Sequence, residues 1–422
     1  MPLSETDRQP KPAEDDKAVL TSWKEIAAQL QVSVKMAQRY ETELGLPVRR
    51  LAGRVSIPLS DLLHWQAENA KASPWWMNVR ILQIGFAVSS GLLLVVLASA
   101  AVYLIRQLPG APASVLLDAA VLTVRDAAGR PVWRHQFPHP LFATGEPPGL
   151  THTLADIDHG GTLETIGVWQ HVQRDTLGWD VHCFSADGKL RWLLHLDDRV
   201  KTAGGKEFGA PYVVRHFLLF ESPERDGTKW VAAAFVNVAG FASTLVVVDS
   251  HGKRRGQYWH SGHLNSLQLF DADADGANEI VAGGYRLGAD QAVIIAFDPA
   301  RVDGANPMPE SDPRRILGKA PSSEKLTGFL ARSVLSQQQS SFNFIPGLSI
   351  VNGDLHAQVY ESLQMQGYLT YEFKPGLRNP KITMSVAFTD ASHRLALQQN
   401  LSKLIPEKEV ERLQSEFRVV RP

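Results

Sequence analysis

The chain has 422 residues, 44% of them hydrophobic and 21% charged, with a net charge of −1. That length leaves room for two or three domains, and that balance suits globular units with their own cores. A single cysteine, Cys183, excludes an internal disulfide, a cysteine-based zinc cluster and a CxxC redox pair. Its place in the strand-like stretch Trp179–Phe184 makes it a half-buried strand residue.

Residues 1–18 are polar, charged and proline-containing, and read as a disordered tail. From 19 to 72 the pattern is that of a small ordered domain. Ser22-x-x-Glu25 is a capping box that opens a short helix with Ile26, Ala27 and Leu30 on one face. Ser33 caps a second helix through Met36, Ala37, Tyr40 and Leu44; Gly45 stands where a left-handed C-cap is expected, and Pro47 blocks continuation. Residues 48–57 read as a hairpin turning at Ala52–Gly53, and Ser60 as the cap of a third helix from Asp61. Two helices, a tight turn and a hairpin make a winged helix-turn-helix. Between Leu20 and Leu59 there are six Lys/Arg against three Glu. Lys35, Gln38 and Arg39 point away from the apolar face of the second helix, as a major-groove reader requires. Glutamine reads adenine edges, and arginine reads guanine or holds phosphate. Arg49, Arg50 and Arg54 on the hairpin would clamp the backbone and make binding salt-dependent.

The stretch WKEIAAQLQVSVKMAQRYETELGLPVRR resembles the winged helix-turn-helix of the MerR and excisionase type. It is similar in particular to N-terminal modules of acidobacterial membrane proteins with the pattern WKEIAxxLGVSxRTAQRWExELGLPVxR. The resemblance covers Leu20 to Trp65 and implies DNA binding by residues 19–72. Two positions depart from it: Gln31 replaces the turn glycine, which strains the turn, and Tyr40 replaces a tryptophan, which keeps an aromatic in the core. Some membrane-anchored modules of this kind, in bacterial cell-shape proteins, bind protein instead, so that reading stays open.

After a juxtamembrane linker, 73–80, the 25 residues Ile81–Ile105 carry no charge, with Arg80 before them and Arg106 after. At about 1.5 Å per residue such a helix exceeds the ~30 Å hydrocarbon core, so it reads as a single membrane span. Trp75, Trp76 and Tyr103 flank it where interfacial aromatics sit, and Gly85-x-x-x-Ser89 offers a small-residue contact for a homodimer. Lys71 and Arg80 on one side nearly balance Arg106 and Arg125 on the other. A cytoplasmic N-terminus, with the C-terminal domain periplasmic or otherwise extracytoplasmic, therefore follows from the DNA-binding reading and not from loop charge.

Past a second linker, 106–117, residues 118–422 read as a large all-β domain. A strand, a D-x-x-G turn, a basic residue and an aromatic strand recur at 120–133, 181–192 and 245–258, and a fourth copy from Val293 is interrupted up to about Ser323. Strand-loop-strand elements lie between, at 154–166, 219–231 and 269–281. Four strands per repeat at this spacing is a β-propeller signature of four to five irregular blades, with a β-sandwich array as the structural rival. The third element, Leu269–Val281, resembles FG-GAP/VCBS propeller repeats. Strands at 368–373 and 382–388, then helices near 392–401 and 406–417, complete the tail; Val410, Leu413 and Phe417 would dock the last helix.

Asp271, Asp273, Asp275 and Glu279 stand at positions 1, 3, 5 and 9 of the third loop, with Gly276 at the turn. Alternating oxygen ligands on a curled loop suit calcium. The first copy keeps Asp156, Asp158 and Glu164 but has Gly160 at position 5; the second, with Pro223 and Lys229, has lost the pattern. No nucleophile elbow, P-loop or HExxH helix is present, and His135, His139, His152 and His159 lack metal-triad spacing, so no enzyme is expected. The reading is a membrane-anchored one-component regulator: DNA binding inside, ligand or partner sensing outside. Two rivals stay open, a scaffold or adhesion protein whose helix-turn-helix binds protein, and a membrane-tethered carbohydrate-active enzyme.

Overall fold

A computed structural model describes residues 18–51, 53–70, 75–107, 110–118, 120–138, 152–173, 176–362, 367–398 and 405–421. The expected tail before Ala18, the hairpin residue Ala52, the last two residues of the expected first domain (71–72), the first two of the expected linker (73–74), and His139 lie outside them. The chain divides into two compact units, Met1–Gln107 and Leu108–Pro422.

In the first unit β1 (Val19–Leu20), β2 (Arg49–Leu51) and β3 (Arg54–Pro58) form a small antiparallel sheet beside α1 (Trp23–Leu30), α2 (Val34–Leu44) and α3 (Leu59–Ala70). The Ser22 hydroxyl accepts the Glu25 N–H, and the Glu25 carboxylate accepts the Thr21 N–H at 2.7 Å, so the box closes one residue ahead of the cap. Gln31 ends α1 at φ +54°, left-handed as the missing turn glycine implies; a side chain there costs about 1 kcal/mol. Gly45 ends α2 at φ +64° without that cost. Ile26, Ala27, Ala37, Leu46, Ile57, Leu62 and Trp65 form the core, with Tyr40 5.7 Å from the Trp65 ring. α3 starts at Leu59, ahead of the expected Ser60 cap, because β3 runs into it through Pro58 and the Leu59 N–H bonds to the Ala18 carbonyl.

Helix α4 (Trp75–Gln107) follows, and none of its apolar window Phe86–Tyr103 is buried. It is long and apolar enough to cross a membrane, and it takes in most of the expected linker as well.

Among its described residues the second unit holds five sheets, the third and fourth continuous through one strand, antiparallel except where Asp303–Ala305 runs parallel to residues 257–259. The first is β4 (Pro112–Asp118), β5 (Val121–Asp126) and β6 (Pro131–Gln136), so strand begins inside the expected linker 106–117. The second holds β7 (His152–Ala155), β8 (Glu164–Gln173), β9 (Thr176–Phe184) and β10 (Leu190–Leu194). A short ribbon, β11 (Val200–Lys201) and β12 (Glu207–Phe208), leads to the third: β13 (Tyr212–Glu221), β14 (Lys229–Asn237), β15 (Ala242–Val248) and β16 (Arg254–Phe270). The fourth continues from β16 through β17 (Glu279–Arg286), β18 (Gln291–Phe297) and, after β19 (Asp303–Ala305), β20 (Glu324–Leu330). β16 is thus shared, pairing with β15 up to Ser261 and with β17 from Gly262. Gly262 has φ +140°, and a Cβ there would lie 2.0 Å from the Tyr285 carbonyl oxygen, so only glycine permits the crossing. Beyond α5 (Val334–Gln339) comes the fifth sheet: β21 (Phe344–Val351), β22 (Asp354–Ser362), β23 (Gly367–Lys374) and β24 (Arg378–Met384).

Each sheet packs on the next. Leu122 and Val124 meet Trp169 and Phe184; Ile166 and Val181 meet Val231 and Phe235; Ala232 and Leu245 meet Ile280 and Ile295; Val281 and Ile294 meet Val359 and Tyr371. Among the described residues no apolar cluster joins the first sheet to the fifth. The expected strand 382–388 splits, because the Ser385 hydroxyl accepts the Phe388 N–H and opens α6 (Val386–Gln398) earlier than expected. α7 (Pro406–Glu416) buries Leu413 with Val410 and Phe417 against the last cluster, and β25 (Arg418–Val420) pairs with β20.

Candidate functional site

On the first unit, Lys35, Gln38 and Arg39 are all exposed on α2, while Ala37 between them is fully buried. Arg49, Arg50 and Arg54 are exposed on the β2–β3 hairpin. The six basic and polar side chains therefore lie where the sequence puts them, but three arginines already hold acids. Arg39 Nε meets Glu43 at 2.6 Å, Arg50 meets Glu41 at 2.9 Å and Arg49 meets Asp61 at 3.3 Å. The hydrogen bond to Glu43 holds the Arg39 pKa above its usual value. Among the described residues Lys35 and Arg54 form no ion pair. These arginine side chains are 64–68% exposed, so solvent screens each pair and another anion can replace the acid.

On the second unit, two groups of carboxylates converge closely enough to hold a metal ion: Asp156, Asp158 and Glu164, and Asp271, Asp273 and Asp275. The two loops are built alike. Asp271 accepts the Asp275 and Gly276 N–H groups, and Glu279, at the start of β17, accepts the Ala272 N–H at 2.7 Å. In the first copy Asp156 accepts Gly160 and Gly161, and Glu164, at the start of β8, accepts Ile157. The first and last carboxylates thus curl the loop, and the remaining oxygens point inward.

A chain cation sits among those oxygens. Lys325 Nζ lies 2.8 Å from Asp273, 3.0 Å from Asp275 and 2.7 Å from Glu279. In the other loop Arg191 lies 2.6 Å from Asp158 and 3.1 Å from Glu164. Both come from the fourth strand of their sheet, and both are the extra residue of a β-bulge: Arg191 between Leu190 and Trp192, Lys325 between Glu324 and Leu326. A bulge re-aims one side chain without ending the strand. The third sheet repeats the device with Arg255, which bonds Asp249 at 2.8 Å and reaches Glu224 at 3.5 Å. Burial opposes the Lys325 charge, but Asp273, Glu279 and Asp275 outweigh it and raise its pKa. Burial raises the Glu279 pKa more than Lys325 lowers it. Asp273 Oδ1 is buried with no hydrogen-bond partner, one acceptor that the ammonium leaves unused.

The sequence reading placed all four loop acids and missed the basic residue that faces them. Its signal lies in Gly188-Lys-Leu-Arg191 and Gly252-Lys-Arg-Arg255, a shared G-K-x-R in the hairpin turns. Lys325 lacks that spacing because the segment 298–323 separates it from its hairpin. Cys183 is fully buried, beyond the half-burial expected, and burial pushes its thiol up to about 12. His135 packs on Phe137 and Phe184, each at 4.7 Å, and His159 holds φ +59° in the first acidic loop. No protein-family model matches the chain, and no curated protein matches it.

Proposed function

We propose that the chain is a membrane-anchored DNA-binding regulator: the first unit is a winged helix-turn-helix of the MerR/excisionase type facing the cytoplasm, α4 is its single span, and the β unit is an extracytoplasmic propeller-like sensor of FG-GAP/VCBS type. The observation that carries this reading is the exposed Lys35–Gln38–Arg39 face of α2 beside the hairpin arginines. Paired half-sites on DNA would be matched by a homodimer. Full-length protein in detergent, used to select genomic fragments across a salt series, should enrich a shared site. Arg39→Ala should lose about 1–3 kcal/mol of that binding if the guanidinium reads a base. A folded protein that enriches nothing points to the scaffold reading, in which this face binds protein.

The 271–279 loop is proposed as the cation site of the sensor. Its hard carboxylate oxygens suit calcium, which enters by displacing Lys325 Nζ. Lys325→Met should therefore lower thermal stability in EGTA and regain it in calcium, with a larger calcium-induced rise in Tm than the wild type shows. A Lys325→Met protein indifferent to calcium ends that assignment.

A further inference from the structure

The first strands of three consecutive sheets carry an irregularity: Arg215 is the extra residue in β13, Asn265 in β16, and the register of β21 shifts between Phe344 and Gly347. Asn265 is satisfied, donating to the Ile345 carbonyl at 2.9 Å across to the next sheet. Arg215, at the matching position one sheet earlier, has no such partner. Among the described residues it forms no ion pair and no hydrogen bond, and its Nε is buried and orphaned. Burial holds the guanidinium below its ordinary pKa, with no carboxylate to offset the loss of water. The neighbouring His216 also has a buried, unpartnered Nδ1. Every other basic bulge residue described above closes on an acid of its own sheet, so Arg215 is the exception.

What surrounds it has the character of a site. The Arg215 charge reaches His263 and depresses that imidazole, after burial as the larger cause. His263 Nε2 is 3.1 Å from the Gly240 carbonyl oxygen, its ring lies 5.1 Å from Tyr285, and Tyr285 stacks on Phe342 at 4.2 Å. One guanidinium, neutral imidazoles and an aromatic stack form the group, with the Asp290 carboxylate near enough to help burial raise the Tyr285 pKa. We infer that Arg215, with His216, His263 and the Tyr285–Phe342 stack, binds a small organic monocarboxylate, the fork of the guanidinium taking both oxygens. A dianionic phosphate would bring a second negative charge beside Asp290, which one guanidinium does not offset. An unpaired, half-buried arginine destabilises the empty protein, and a ligand carboxylate removes that penalty. The inference gives the proposed sensor its ligand class and rests on that reading for its meaning. Binding is read without DNA, so its failure leaves the DNA-binding proposal standing.

The test is thermal unfolding of the full-length protein in detergent, at fixed ionic strength, with acetate, benzoate, glucuronate, sulfate or phosphate replacing chloride. At least one monocarboxylate should raise Tm by a few degrees and saturate, while sulfate and phosphate match chloride. Arg215→Met should abolish the rise, and in chloride its own Tm should equal or exceed that of the wild type. No monocarboxylate response, or a response equal in Arg215→Met, overturns the inference. A loss of Tm in Arg215→Met in chloride also overturns it, because the guanidinium would then be supporting the fold.

Discussion

The two units treat their basic side chains in opposite ways. On α2 and its hairpin Arg39, Arg49 and Arg50 stand in water, each leaning on one acid that is exposed or half-buried. In the β unit Arg286 and Glu324 are each 5% exposed and meet at 2.6 Å, with the Tyr258 hydroxyl donating to the same carboxylate at 2.6 Å and Thr327 also donating to it. Burial opposes the Glu324 charge, but Arg286 and these hydroxyls hold its carboxyl below the usual range. The lesson is one of exchange. A pair in water is worth so little that a new anion can replace it, whereas a buried pair cannot release either member without stranding the other. The first kind suits recognition and the second fixes strands of the fourth sheet in place.

Glu324→Ala should break the contrast from the buried side, leaving Arg286 unpaired between two ladders. A loss of about 3–5 kcal/mol is expected in denaturant unfolding of the β unit, and a loss below 1 kcal/mol would mean water reaches the pair. Acid titration sharpens the same point. Burial depresses His260 to about 3 and His216 to about 4, from 6.5. Between those values and 6.5 the unfolded chain binds protons that the folded one does not. Stability is therefore full above 6.5 and falls as pH drops, by about 1.4 kcal/mol per pH unit for each buried histidine. A Tm flat from pH 7 to 5 would show these imidazoles to be wet.

Smaller effects belong to the first unit. Ser22→Ala should cost about 1 kcal/mol by freeing the Glu25 N–H, seen as lower helicity at intermediate temperature. Glu41→Gln and Glu43→Gln should change stability by no more than ~0.5 kcal/mol. The same changes release Arg50 and Arg39 and should tighten DNA binding with a steeper salt dependence. Unchanged affinity would mean those arginines do not touch phosphate.

Much of this was legible in the chain itself. The Ser22 and Ser33 caps, the Gly45 stop, the uncharged run at 81–105 and the recurring D-x-x-G hairpins are signals written within a dozen residues, where backbone geometry is local. The acidic loop was legible for the same reason: Asp271 and Glu279 bond to N–H groups no more than seven residues away. The partners of those groups were not. Lys325 meets Glu279 across 46 residues, Arg286 meets Glu324 across 38, and among the described residues Arg215 has no partner in a place where Asn265 finds one 80 residues on. The sequence by itself determined most helices, strands and turns, through caps, periodicity and positive-φ positions, though not the switch from strand to helix at Ser385 or the helix Val334–Gln339. Only the tertiary structure decided which charges face each other, because register, bulges and the stacking of sheets set those distances and no short-range pattern records them.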